Sequence, residues 1–407
     1  MFQPLASNDA VTRVLSGERT EYVPVAQCYQ FLGALQFHAM ELRWRKWWDR
    51  LEAAGTDLLP VDYQTYLDVE LEVYREIFDD VYLRPAWTGL PRNESPDEFA
   101  GSAVARKDGD LFWVHANGRC SWIPPNRTAE QEASVAERSV PWASLWDRSS
   151  TAASAVSRVA ARPTHELRPG PSPTPEQADA IARSHVYDLA RGLVQRYPDQ
   201  MPLYTAGVSP YDGMETIFGF EGFMAALIEQ PALVHRILEN RIPVPSARLL
   251  AERRLGIRLM FVEECMASAD ILSPKMYLEF AHRYDRQAIQ LYECMGFRTV
   301  LYFSGNLMPF LPYLAELPFT ALSFEEDRKN YGIDLAAVRK ALPDKVLFGN
   351  IDAAWLEKAK DQEVLDEVKR QIDVAGPDKF IVSAGSPLTP ETSLERVKLF
   401  CQSTRLI

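Results

Sequence analysis

Acids, tyrosines and polar turn residues collect at the ends of short apolar runs in this sequence. Glu263-Glu264 close the run RLMFVEE, Glu325-Glu326 follow FTALSF, Asp62 follows DLLPV, and Asn350 and Asp352 flank the isoleucine after FG. Tyr29, Tyr204, Tyr302, Ser304, Asn306 and Ser386 occupy comparable positions. Carboxylates so placed can exchange protons with a substrate, hold a cation or bind a hard metal ion. Glu264, Tyr204 and Asp62 are the candidate acids and donors. Tyr29, Tyr302, Ser304, Asn306, Glu325, Asn350, Asp352 and Ser386 are the candidate substrate contacts.

Each candidate has a structural alternative of comparable weight. In extended chain, successive side chains point to opposite faces, so only one member of each Glu-Glu pair faces a pocket. Asn350 and Asp352 suit loop capping, Tyr302 suits interior packing and Ser304 a turn hydroxyl. Cys28 and Cys265 lie near strand ends, where buried structural thiols are commoner than reactive ones. His38 and His115 lack ligand spacing to a second histidine, and six histidines in all give little basis for a metal centre. No metal and no cofactor is expected.

These residues need a scaffold that gathers strand ends. Eight apolar runs are candidate strands: 23–28, 57–61, 202–206, 258–263, 299–304, 319–324, 346–349 and 380–384. Helical periodicity recurs over 274–295, 335–341 and 355–375. Ser273 before Pro274 and Gly296 at the far end mark the first of these helices. Strand and helix alternation with eight strands predicts a TIM (β/α)8 barrel, whose functional groups sit at the C-terminal ends of the strands.

The interval between the second and third candidate strands is too long for one crossover helix. Within it, Leu111 to His115 lies between Asp108-Gly109 and Asn117-Gly118, the pattern of a small hairpin. From Pro124 to about Pro175 the chain is rich in Ala, Ser, Arg and Pro, as a surface excursion is. The expected organisation is one barrel domain over 1–407, with an N-terminal helical segment and an inserted hairpin and loop over 99–175.

Composition narrows the partners. The 407 residues are 47% hydrophobic and 25% charged, with a formal charge of -12. That charge opposes general nucleic-acid binding, which rests on clustered Lys and Arg. No run reaches the roughly 20 apolar residues of a membrane span. MFQPLASNDA lacks the pattern of an export signal. The five cysteines are widely spaced and form no CxxC pair. A cytoplasmic protein acting on a small molecule, without nucleic acid or membrane as partner, is the expectation.

The stretch ECMASADILSPKMYLEFAHRYDRQAIQLYECMGFRTVLYFSGNLMPFLPYL resembles uroporphyrinogen decarboxylases and their zinc- and corrinoid-dependent methyltransferase relatives. The ordered motifs are Glu263-Glu264, Leu272-Ser273-Pro274, Ser304-Gly305-Asn306 and Gly349-Asn350-Ile351-Asp352. RVLSGERTEYVPV and KFIVSAGSPLTPETSLERV match the family's two ends. The resemblance implies the barrel, an enzyme of the decarboxylase (lyase) or methyltransferase type, and a homodimer for which the Trp44 to Trp48 helix is one contact surface.

The departures lie where the family does its chemistry. AQCYQFLGALQ has none of the decarboxylase's substrate-binding arginines, and Gly385-Ser386 stands for its G-H. The methyltransferases' H-x-C zinc ligands are replaced by Tyr302-Phe303-Ser304, and their final cysteine by Ser386. A small carboxylated or polar substrate handled by acid/base chemistry is the first expectation, with porphyrinogen itself disfavoured. Methyl or alkyl transfer without the usual zinc ligands is the second, and a non-catalytic binding barrel the third.

Overall fold

The computed structural model describes residues 10–26, 34–80, 88–91, 96–125, 173–197, 203–327 and 330–407. Its strands in chain order are β1 (Leu58–Pro60), β2 (Thr88–Gly89), β3 (Ala103–Lys107), β4 (Asp110–Val114), β5 (Cys120–Ile123), β6 (Leu203–Ala206), β7 (Leu259–Glu264), β8 (Arg298–Phe303), β9 (Ala321–Phe324), β10 (Val346–Phe348) and β11 (Phe380–Ile381). Seven of them form a parallel sheet in the order β11-β10-β9-β8-β7-β6-β2. A parallel bridge from Val25 to Val382 adds an eighth segment beyond β11. Eight parallel segments in chain order, with helices between them, make a TIM barrel.

The second barrel strand is not where its apolar run suggested. The predicted strand over 57–61 is β1, which pairs antiparallel with β3 at the edge of a separate four-stranded sheet, β1-β3-β4-β5. The barrel position belongs to Thr88–Gly89, bonded to Leu203 and Tyr204. The physical reason is burial. A strand of a parallel barrel is covered on both faces, whereas Leu58 and Pro60 are exposed and proline suits an edge. Asp108 and Gly109 have φ of 54° and 87° between β3 and β4, the two left-handed residues that a tight hairpin turn needs.

Strand periodicity divides the barrel residues into two cores. Leu259, Phe261, Val300, Tyr302, Val346 and Phe348 pack inside the barrel, with Tyr204 and Ile381. The helix α1 (Ala10–Leu15) joins this inner core through Val11, Val14 and Leu15. The alternate residues Met260, Val262, Leu301, Phe303 and Leu347 belong instead to the core shared with the surrounding helices. Each fully buried large apolar side chain contributes about 1.5–3 kcal/mol.

Pro274 opens a helical run capped by the Ser273 side chain, which accepts from Met276 N at 3.3 Å. The run passes through a π-helical segment, Tyr277–His282, before resuming as Arg283–Cys294. The predicted helix over 355–375 is two helices, Ala353–Lys358 and Asp361–Ala375. Glu363 reaches back to the Lys360 N–H at 2.8 Å, starting a fresh helix where one was expected to continue.

The tryptophan-rich helix α2 (Ala34–Ala54) packs against α3 (Tyr63–Asp79). Trp47 is buried, Trp44 stacks on Trp48 at 4.8 Å, and the Arg106 guanidinium covers Trp48. These rings serve intramolecular packing. No helix among the described residues is long and apolar enough to cross a membrane.

Candidate active site

The loops leaving β7, β8 and β9 enclose a cleft of about 560 Å³ at the C-terminal mouth of the barrel. Cys265, Ser268 and Asp270 line it from the first loop, Ser304 and Gly305 from the second, Glu325 and Glu326 from the third. Tyr331 and Ile333 complete the wall. Three carboxylates thus meet in one cleft, and no basic side chain among the described residues lines it.

Short polar bonds fix these groups. Gly305 N donates to Glu325 Oε2 at 2.9 Å. Asp270 accepts from the Ser268 hydroxyl, from Asn306 N at 3.3 Å and from the Tyr331 hydroxyl at 3.3 Å. Ser386 Oγ donates to Glu326 Oε1 at 3.1 Å, and Glu326 is only 5% exposed. Two glycines make the convergence possible. Gly305 has φ of +79°, and a Cβ there would lie 2.6 Å from Ser268 Oγ and 2.8 Å from Asp270 Oδ1. At Gly385 a Cβ would strike Glu326 Oε2 at 2.5 Å.

Among the sequence candidates, the structure brings Ser304 and Glu325 into the cleft and sets Ser386 against Glu326. Tyr302 lies just beneath, inside the barrel, donating to Gly385 O at 3.2 Å. Asn306 organises its loop, its side chain accepting from Met308 N at 3.1 Å. Asn350 donates to Glu325 O at 3.3 Å and supports the wall from behind. Asp352 caps the helix Ala353–Lys358 through Ala354 N and Trp355 N. Tyr29 lies outside the described residues.

The three candidate acids and donors lie elsewhere. Asp62, placed at a barrel strand end by the apolar run before it, caps α3 beside the antiparallel sheet. Its N–H partner Thr65 holds its carboxyl below the usual range. Tyr204 packs in the barrel interior against Phe261, with ring centroids 5.4 Å apart. Glu264 shares the parity of Met260 and Val262 and points into the helix layer, fully buried. Burial, then Asp285 and Asp212, push its carboxyl far above the usual range.

Asp270 and Tyr331 are cleft residues without a spacing signal. Asp270 sits in ASAD, an unremarkable turn sequence, and Tyr331 follows a run of charges. Cys265 also lines the cleft, but burial and the neighbouring Asp212, Glu263, Glu264 and Glu325 push its thiol well up. Thiol, not thiolate, is its resting form.

The zinc-ligand positions of the methyltransferase relatives do not fit zinc in this chain. Tyr302 and Ser386 place hydroxyls there, engaged with Gly385 O and Glu326, and hydroxyls are poor zinc ligands beside thiolate and imidazole. Among the described residues, no group of three His, Cys, Asp or Glu side chains is placed to hold a metal.

A barrel with a polar cleft at its C-terminal mouth is the architecture on which TIM-barrel enzymes are built. Residues 161–406 match the family described as uroporphyrinogen decarboxylase (URO-D), and the chain belongs to that family as a divergent member. The uroporphyrinogen decarboxylase of Legionella pneumophila (strain Lens) is 25% identical over 233 residues, 55% of this chain and 64% of that protein. That of Methylococcus capsulatus is 24% identical over 224 residues, 53% of this chain and 62% of its own length. The chain thus spans less than two thirds of these relatives. A methyltransferase from Methanosarcina mazei shares the fold over 97% of both chains, with a TM-score of 0.54 and 16% identity.

Proposed function

We propose that this URO-D family protein is an enzyme that binds a small polar molecule in the Glu325-Glu326-Asp270 cleft and acts on it by proton transfer. The observation that carries the reading is the convergence of three carboxylates from three successive loops on one cleft. A positioned acid or base contributes about 10²–10⁴-fold to a proton-transfer step. Glu326 is the group best placed to exchange a proton, because burial removes competing water and Ser386 fixes one of its oxygens. Glu325, held by Gly305 N, and Asp270, held by Ser268 and Tyr331, orient the polar end of the substrate.

Carboxylates lining a cleft favour a small molecule whose polar groups can donate hydrogen bonds to them. The substrate class stays the small carboxylated or polar one expected from sequence. Family membership supports a lyase reaction of the decarboxylase kind as the first reading. Methyl or alkyl transfer in the same cleft is the second reading. For that chemistry Cys265 is a poor nucleophile while its thiol keeps its proton.

A thermal-shift panel of small amines, neutral polyols and polycarboxylates tests the proposal. Small polar members of the panel are expected to raise the melting temperature of the wild type, and Glu326→Gln to weaken that shift. No stabilisation by any of them, or a stabilisation unchanged in Glu326→Gln, would refute it.

A further inference from the structure

Behind the cleft wall lies a second polar cluster, walled off from the cleft and fully buried. Ser209, in the loop after β6, has its Oγ 2.6 Å from Glu264 Oε2 and 2.7 Å from Asp285 Oδ1. Glu264 ends β7, and Asp285 lies in the first turn of the helix Arg283–Cys294. Glu264 is 0% exposed and Asp285 2%.

The hydrogen count of this arrangement is decisive. A serine hydroxyl has one proton to donate, and an ionised carboxylate only accepts. With both carboxyls ionised, one of the two short O···O contacts would set lone pair against lone pair. We infer that Glu264 and Asp285 hold a proton between them across the Ser209 hydroxyl, and that this protonated pair positions the cleft wall formed by Cys265 to Ile271.

The connections to the wall are direct. Glu264 Oε1 accepts from Met266 N at 3.1 Å, while its backbone oxygen accepts from Ser304 N at 3.1 Å. Asp212 Oδ1 accepts from Cys265 N at 3.2 Å. Ser209 Oγ is itself held by Tyr211 N and Asp212 N at 3.2 and 3.3 Å. Loss of the shared proton to solvent would leave two buried like charges under this loop, which only movement or hydration relieves.

The surroundings favour keeping the proton. Tyr211 and Asp212 face the pair from the β6 loop, with Glu215 beyond them, and Tyr277 faces it from the π-helical segment. Cys265 adjoins it on the strand end. Arg241 is the nearby cation; its guanidinium donates to Pro210 O at 2.7 Å and to Asp212 O, and its charge is shared among Asp212, Glu215 and Glu264. The hydroxyls of Tyr211 and Tyr277 are buried without a hydrogen-bond partner among the described residues. Phenols left so beside carboxyls mark a polar space suited to a bridging water. Burial raises both carboxyls above their ordinary range.

The linkage has a definite sign. The pair is protonated when folded and ionised when unfolded, so folding takes up a proton. Stability therefore falls as pH rises above the ordinary carboxyl range of about 4, until the folded pair itself ionises. Glu264→Gln replaces the shared proton by a fixed N–H: its amide can donate to Ser209 Oγ, Ser209 to ionised Asp285, and its oxygen still accepts from Met266 N. Asp285→Asn does the same from the other side.

The experiment is a comparison of melting temperatures from about pH 5 to about pH 8, with infrared spectra of the wild type at neutral pH. The wild type is expected to lose several degrees that the amide variants keep, and to show a protonated-carboxyl band that both variants lack. Equal pH slopes in wild type and folded variants, or no such band in the wild type, would overturn the inference. Should neither variant fold, a wild type without the band still overturns it.

Discussion

Replacing Gly305 by alanine tests whether the cleft is as tightly assembled as its geometry requires. Two costs arise at this residue. An L-residue held at φ of +79° pays about 1–2 kcal/mol for crowding its own backbone. Overpacking typically costs a further 1–3 kcal/mol, and here the new methyl would lie 2.6 Å from Ser268 Oγ and 2.8 Å from Asp270 Oδ1. The two together reach about 2–5 kcal/mol. Gly55→Ala separates them, because Gly55 has φ of +63° with nothing within 4 Å of an added Cβ. Its expected cost is the backbone part alone, about 1–2 kcal/mol. Urea unfolding of the three proteins gives both values from midpoint shifts at constant slope. Alanine keeps the backbone N–H that holds Glu325, but the shift that relieves the clash displaces it, so ligand-induced stabilisation should also weaken. If Gly305→Ala costs no more than Gly55→Ala, the close approach of the β7 and β8 loops is wrong.

Two further substitutions separate structural carboxylates from those of the cleft. Asp352→Ala removes a helix cap that accepts from two backbone N–H groups, and is expected to cost about 1 kcal/mol in urea; ligand binding should survive, and its abolition would return Asp352 to the site. Arg43→Ala leaves Glu70, 5% exposed, without a guanidinium that now donates two bonds at 2.6 and 2.8 Å. A loss of about 3–5 kcal/mol is expected, largely recovered in Arg43→Ala/Glu70→Gln, and a cost below about 1 kcal/mol would mean that solvent already screens the pair.

The barrel was legible in the sequence because its strands are short apolar runs buried on both faces, and seven of the eight runs fall on barrel strands or on the Val25 bridge. The eighth failed for a reason of the same kind. DLLPV is as apolar as its neighbours, but nothing in it says that Leu58 and Pro60 face solvent, while the true strand, Thr88–Gly89, has only two residues and no apolar signature. The motifs SGN and GNID led to the mouth because turn residues mark strand exits. They did not identify which side chains enter it: Asn306 and Asp352 bond to their own loops. Asp270 enters the cleft from a loop whose path depends on Asn306 and Tyr331, contacts 36 and 61 residues away in sequence.

Glu264 shows why the site is harder to read than the fold. In a sheet with one wet face, alternation of polar and apolar residues tells which side chains point to the core. Along LMFVEE both faces are apolar, so the run offers no contrast from which to set the phase. The phase comes from packing: Leu259 and Phe261 fill the barrel, Met260 and Val262 meet the helices, and Glu264 therefore joins the helix side. One residue of register separates an acid at the mouth from an acid sealed behind it. Burial then changes its chemistry, since a sealed carboxyl that shares a proton with Asp285 can hold a loop but does not face the cleft across the strand. In the proposed function the acid chemistry of the cleft falls to Glu326, Glu325 and Asp270, while Glu264 bears on it through Met266, Ser304 and the proton it shares with Asp285.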